Sequence, residues 1–211
     1  MTPVYIILIL LVMGWFAGGT IWNIRKGNAV MRWMQGGLPL LGERATVRWL
    51  GTTAVEMVIA KAKSPFQKVT LVIFLEPRDV PWNWGLTRLQ GRHDTLIIRT
   101  QLSAAPHTDF EMMDRATWSG RDVLKRIGSE RWTVTEPSSG GSLPVYHKTA
   151  AALERANALL DQARQAGFSV WRLSVRHTEP HFQIHLALPP ASASAHDFFQ
   201  MVQVMGEHAG G

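Results

Sequence analysis

The sequence predicts an α+β chain: an N-terminal transmembrane helix, then a soluble domain with a largely antiparallel sheet and two to three helices. Three observations carry this expectation. Residues 3–22, PVYIILILLVMGWFAGGTIW, hold no charge, and about 20 apolar residues are what a hydrocarbon core of roughly 30 Å requires. From Arg44 onward the apolar period falls from 3.6 to 2, which marks the change from helix to strand. The later elements then run strands first and β-α-β-β-α after, with few parallel crossover units, the pattern of an antiparallel α+β domain.

Composition bounds the function. The chain has 211 residues, 46% hydrophobic and 18% charged, enough apolar material for a packed core. It has no cysteine, which removes disulfides, thiol nucleophiles and cysteine-bound metals. Lys and Arg total 22 against 16 Asp and Glu, a net +6, which suits an anionic surface such as an inner membrane leaflet. There are nine tryptophans, a residue favoured where an apolar body meets a polar edge.

The first apolar run has three readings. A cleaved signal peptide would use Ala17-Gly18-Gly19 as its cleavage site, but no Lys or Arg precedes the run and a basic n-region is part of such signals. A buried core helix would carry a polar face, which this run lacks. A membrane span is left, with Tyr5 near one end and Trp15 and Trp22 toward the other as interfacial anchors. The positive charges follow the span, as Arg25, Lys26, Arg32, Arg44 and Arg48. Positive residues stay on the cytoplasmic side, so the expectation is a single-pass protein of the cell membrane, N-terminus outside and domain in the cytoplasm.

Three segments follow: 1–24 as anchor, 25–43 as a juxtamembrane segment and 44–211 as the cytoplasmic domain, with a subdivision point near 137–143. In the juxtamembrane segment Val30, Trp33 and Met34 fall at helical spacing, and Gly36-Gly37 and Pro39 stop the helix. It either lies flat at the headgroups or packs on the domain as a linker. Val47 and Trp49, then Val55, Met57 and Ile59, alternate with polar residues around Gly51-Thr52-Thr53, a hairpin. Residues 69–76, apolar on both faces, read as a central strand, and 95–102 as another. A long loop spans 77–94, a short helix 120–127 ended by Gly128, and a strand 130–135. The strongest helix is expected over 145–166, with Leu153, Ala156, Leu160 and Ala163 as its stripe and Gly167 just beyond. Strands follow at 169–176 and 181–188. A last helix starts at Ser194 with Asp197 three residues on, an approximate capping box.

Motifs for chemistry are sparse. No dinucleotide fingerprint, P-loop, HExxH, GxSxG or EF-hand loop occurs, so no catalytic residue and no cofactor is assigned. His177, His181 and His185 stand at H-x3-H-x3-H spacing. If Trp171, Leu173 and Val175 share a face with Phe182, Ile184 and Leu186, Val175 pairs with Phe182, Arg176 lies opposite His181 and Arg172 opposite His185. Two arginines beside two histidines repel a cation, so no metal is assigned, and Arg172, Arg176, His181 and His185 form a basic sheet face. Asp109, Glu111 and Asp114 read as a solvated acidic patch.

In the 77–94 loop, Trp82-Asn83-Trp84 stands among Arg78, Arg88, Arg92 and His93. With Arg25, Lys26, Arg32 and Trp33, the residues Trp82, Trp84, Arg78 and Arg88 make an expected membrane or partner interface; capping of the sheet edge is the structural alternative for the two tryptophans. The expected function is a non-enzymatic accessory, scaffold or assembly factor of a membrane complex, with lipids and a membrane protein as partners; dispersed basic residues and the tether disfavour nucleic acid. The alternative is a membrane-bound enzyme for a lipid or phosphorylated substrate, with Glu76, Arg78, Asp79 and His93 near its site.

Overall fold

The computed structural model describes residues 2–127, 132–137 and 143–210. Its first helix, α1 (Thr2–Gln35), is 34 residues long, and it is long and apolar enough to cross a membrane. It does not break where the apolar run ends. It continues through the juxtamembrane segment to the glycine pair, where Gly36 and Gly37 close the last turn on Trp33 and Met34. Met34 is fully buried in the domain core. Trp33 packs on Phe198 and Phe199, 5.4 and 6.2 Å between ring centroids, and donates its indole N–H to Ala193 O at 2.6 Å. The end of the segment is therefore packed on the domain through Trp33 and Met34.

A short turn of helix, α2 (Leu38–Leu41), leads to the hairpin of β1 (Thr46–Trp49) and β2 (Ala54–Ile59). Then come β3 (Phe66–Phe74), α3 (Pro81–Leu89), β4 (Thr95–Leu102), β5 (Phe110–Met113), α4 (Trp118–Ile127), β6 (Thr133–Thr135), β7 (Val145–His147), α5 (Ala150–Gln165), β8 (Val170–Val175), β9 (Phe182–Ala187) and α6 (Ala195–Gly210). Among the described residues nine strands form one sheet in the order β1-β2-β3-β4-β9-β8-β5-β7-β6. Every pairing is antiparallel. The fold is α+β.

Alternation divides the sheet into two faces. Leu71, Ile98, Ile184, Leu173 and Met112 share one core with Ala156 and Leu160 of α5 and Phe198, Val202 and Met205 of α6. Next along β5, Met113 points the other way and packs with Val123, Ile127 and Tyr146, so α4 covers part of the opposite face. Thr149 caps α5 through its hydroxyl, which accepts Ala152 N–H at 3.2 Å. Gly167 ends it with φ +80°, a backbone setting that glycine adopts without steric cost. Ser194 caps α6 by accepting Asp197 N–H at 3.2 Å.

Three expectations need correction. The 77–94 loop contains helix α3, whose Pro81 sits in its first turn, a position that proline favours. The helix expected over 145–166 begins only at Ala150, because residues 145–147 pair with β5 and β6 as a strand. The expected solvated patch contains β5 itself, with Glu111 only 1% exposed. The expected helix end at Gly128 and the glycine-rich centre of 137–143 lie outside the described residues.

Candidate functional site

Beyond the contact of Trp33 with α6, the domain grips α1 at Lys26, Asn23, Gly19 and Trp15, and these grips involve residues around the exit of β3 and the start of β4. Phe74 pairs with Thr95, so Glu76 and Asp94 leave the sheet side by side. Asp94 Oδ1 accepts Glu76 N–H at 2.7 Å. Its carboxylate takes Arg78 in a two-pronged bond, 2.9 and 2.8 Å, and Lys26 of α1 donates to it as well. Burial alone would raise the Asp94 carboxyl, but the bonds from Arg78, Lys26 and the Glu76 amide outweigh it and hold it below the usual range.

Asn23 of α1 is fully buried. It donates to Glu76 O at 3.1 Å and accepts Arg78 Nη1 at 3.3 Å. One turn toward the N-terminus, Gly19 lies against the Arg78–Asp79 backbone so closely that any Cβ would collide with the Arg78 carbonyl. One turn further, Trp15 donates its indole N–H to Arg78 O at 2.9 Å and meets the Trp84 ring at 6.4 Å. Trp84 donates to Glu76 Oε2 at 2.5 Å, and Arg88 lies 5.6 Å over its ring, within cation–π range. An open groove lined by Trp15, Gly18, Gly19, Trp22, Arg78 and Trp84 remains between helix and domain.

Of the expected interface residues, the structure thus gathers Lys26, Arg78, Trp84 and Arg88 in one place. Arg25 and Arg32 are exposed higher on α1, and Trp33 belongs to the α6 contact. The two neighbouring tryptophans part company: Trp84 turns inward as a cap, while Trp82 is 64% exposed. Asn23, Gly19 and Asp94 complete the junction and were missed, and Trp15, expected as an interfacial anchor, bonds the domain at Arg78 O. A lone asparagine near the end of an apolar run was the one available signal.

Three of the four acid–base candidates meet at Glu76 and the fourth stands apart. Arg78 Nη2, bonded to Asp94, also lies 3.3 Å from Glu76 Oε2, while Asp79 accepts the Thr52 hydroxyl at 2.7 Å. Only Glu76 and His93 share a cavity, of about 300 Å³, with Thr53, Thr87, Arg92 and Thr95 among its walls. His93 Nδ1 stands 3.5 Å from Glu76 Oε1.

The expected basic face of β8 and β9 keeps its register: Val175 pairs with Phe182 and Arg172 with His185, and Arg176 N–H bonds His181 O. A bulge at Trp171 removes that ring from the core face, where Val170 takes its place, and Trp171 lies 6.4 Å from His93. The face is not a simple basic surface. Glu111 of β5 accepts Arg172 Nε and Nη2 at 3.1 and 3.0 Å, Arg176 Nε at 3.1 Å and Ser174 Oγ at 2.8 Å. His181 accepts Leu102 N–H at 3.1 Å. His185 pairs with Gln183; burial, then Arg172 and Arg99, pushes its imidazole down to about 3. His177 bonds Asp109 at 2.9 Å, so the three histidines take separate partners.

Fold and junction together define a class: an antiparallel α+β domain packed directly on a helix long and apolar enough to cross a membrane. No protein-family model matches the chain, and no curated protein matches it.

Proposed function

We propose that the chain is a single-pass membrane protein with its N-terminus outside and its domain in the cytoplasm, where it acts as a non-enzymatic accessory or scaffold subunit of a membrane complex. The observation that carries this reading is the junction of α1 with the domain. Asn23 and Lys26 are bonded to the Glu76–Arg78–Asp94 cluster, and Met34 enters the core. A flexible tether would let the domain tumble; a packed one fixes which surfaces meet a neighbour in the same membrane. The basic residues Arg25, Lys26 and Arg32 after the apolar run support the orientation.

Protease treatment of sealed right-side-out spheroplasts carrying a C-terminally tagged chain tests it. The tag stays protected until detergent is added, and crosslinking from the cytoplasmic side then yields a membrane-protein partner. Immediate digestion of the tag refutes the orientation. The cavity shared by Glu76 and His93 favours a second reading, an enzyme for a lipid or phosphorylated substrate. Turnover of a phospholipid by the purified chain, lost in His93→Ala, would decide for it.

A further inference from the structure

The order of contacts along α1 fixes how deep the domain would sit. Met34 is in the core, Lys26 meets Asp94, Asn23 meets Glu76 and Arg78, Gly19 faces Arg78 and Asp79, and Trp15 meets Trp84. Moving from Glu76 into α3, the domain therefore descends along α1 toward its N-terminal end. Helix α3 is the part of the domain that reaches furthest down.

Below Trp15 only residues 3–14 are clear of the domain, about 12 residues or roughly 18 Å of helix. That is short of the roughly 30 Å of a hydrocarbon core. The uncharged run continues to Ile24, and its outward positions stay apolar and open: Phe16 is 51% exposed, Ile21 51% and Trp22 62%. If the run fills the bilayer up to Trp22, the level of Trp15 lies about seven residues deeper, roughly 10 Å. Helices that lie in a membrane surface bury their apolar face about 5–10 Å into the boundary of headgroups and acyl chains.

Helix α3 has the face for this. Trp82, Leu86 and Leu89 recur at i, i+4 and i+7, one side of a helix, and are 64%, 57% and 87% exposed. On the other side Trp84 holds the helix to the domain through Glu76 Oε2, and Thr87 is buried. Arg88 stacks on Trp84, a placement from which a long side chain reaches back to lipid phosphates. We infer that α3 is an interfacial membrane helix: Trp82, Leu86 and Leu89 are immersed in the same leaflet through which α1 leaves the bilayer. The occupant of this apolar face is lipid, because the Trp15–Trp84 contact holds α3 beside the apolar run of α1, at a level that the span places in the bilayer. The inference rests on the membrane-span reading of the preceding section.

The absence of cysteine makes the test direct. Single-cysteine variants Leu86→Cys, Leu89→Cys, Leu8→Cys and Asn157→Cys of the full chain are nitroxide-labelled and reconstituted in vesicles of phosphatidylcholine and phosphatidylglycerol. Leu8 reports the span and Asn157, exposed on α5, reports water. Collisions with oxygen, which concentrates in lipid, are compared with collisions with a water-soluble nickel chelate. The labels at 86 and 89 are expected to favour oxygen severalfold more than the label at 157, and to resemble the label at 8. If 86 and 89 resemble 157 while 8 is lipidic, the span stands and the inference falls. A label at 8 that also resembles 157 overturns both. Low access to both reagents at 86 and 89 means that protein, including a second copy of the chain, covers the face, and this too overturns the inference.

Discussion

At the scale of single residues, the sheet face around Glu111 is where charge does the most. A carboxylate 1% exposed is tolerable because two guanidiniums and a hydroxyl satisfy it. Glu111→Ala would leave Arg172 buried without its counter-charge, and breaking a buried pair from one side costs about 3–5 kcal/mol. Urea unfolding in detergent should show that loss, with Ser174→Ala losing only about 1 kcal/mol. His185 sets an acid limb on stability. Its folded-state pKa of about 3 lies below the ordinary 6.5, so below 6.5 the unfolded chain takes up a proton that the folded chain refuses. Stability is complete above that value and falls as pH drops toward 3, by roughly 1.4 kcal/mol per unit for one proton. Unfolding between pH 7 and 5 should show this slope, and His185→Gln should flatten it. The carboxylate of Asp94, held low, contributes only to a loss beginning near pH 4. The β8–β9 register was legible from alternation alone. The counter-ion was not, because Glu111 reaches Arg172 across strands 61 residues apart in sequence, and nothing local distinguishes a buried Glu from a solvated one.

At the scale of elements, legibility followed length and surroundings. β4 was readable to its end residues because eight residues of strand formers stand between turn signals. β5 and β7 have four and three residues, too few for a period to register, and β7 precedes the strongest helix so closely that its residues were absorbed into it. The Thr149 cap was the signal that would have separated them. Helix α3 was hidden by its tryptophans and glycine, since neither favours a helix over a loop. The glycine pair of α1 offers a controlled test of the junction. A Cβ at Gly19 collides with the Arg78 carbonyl, whereas at Gly18 it meets nothing within 4 Å. Gly19→Leu should therefore prise α1 from the domain and destabilise it by about 1–3 kcal/mol, the usual range for overpacking. Gly18→Leu should be close to neutral. Thermal unfolding of both variants in the same detergent separates the two outcomes.

At the scale of the whole molecule, the apolar run and the sheet domain were each legible, but their connection was not. Residues 25–43 carried the same amphipathic pattern for a helix lying on lipid as for one packed on protein. Only the tertiary partners, Phe198, Phe199 and Ala193, choose between them. Their choice makes α1 and the sheet one rigid piece, with a mechanical consequence. A helix in a bilayer thinner or thicker than its apolar length answers by tilting. With α1 spanning the bilayer as proposed above, the sheet copies that tilt. The junction lies at β3 and β4, and β6 stands five strands beyond β4; at about 4.8 Å per strand that is roughly 24 Å, so a tilt of about 10° would carry β6 through roughly 4 Å. Bilayer thickness would then be written out as a displacement of β6 at the distant edge, and the chain would work as a lever with one arm in lipid.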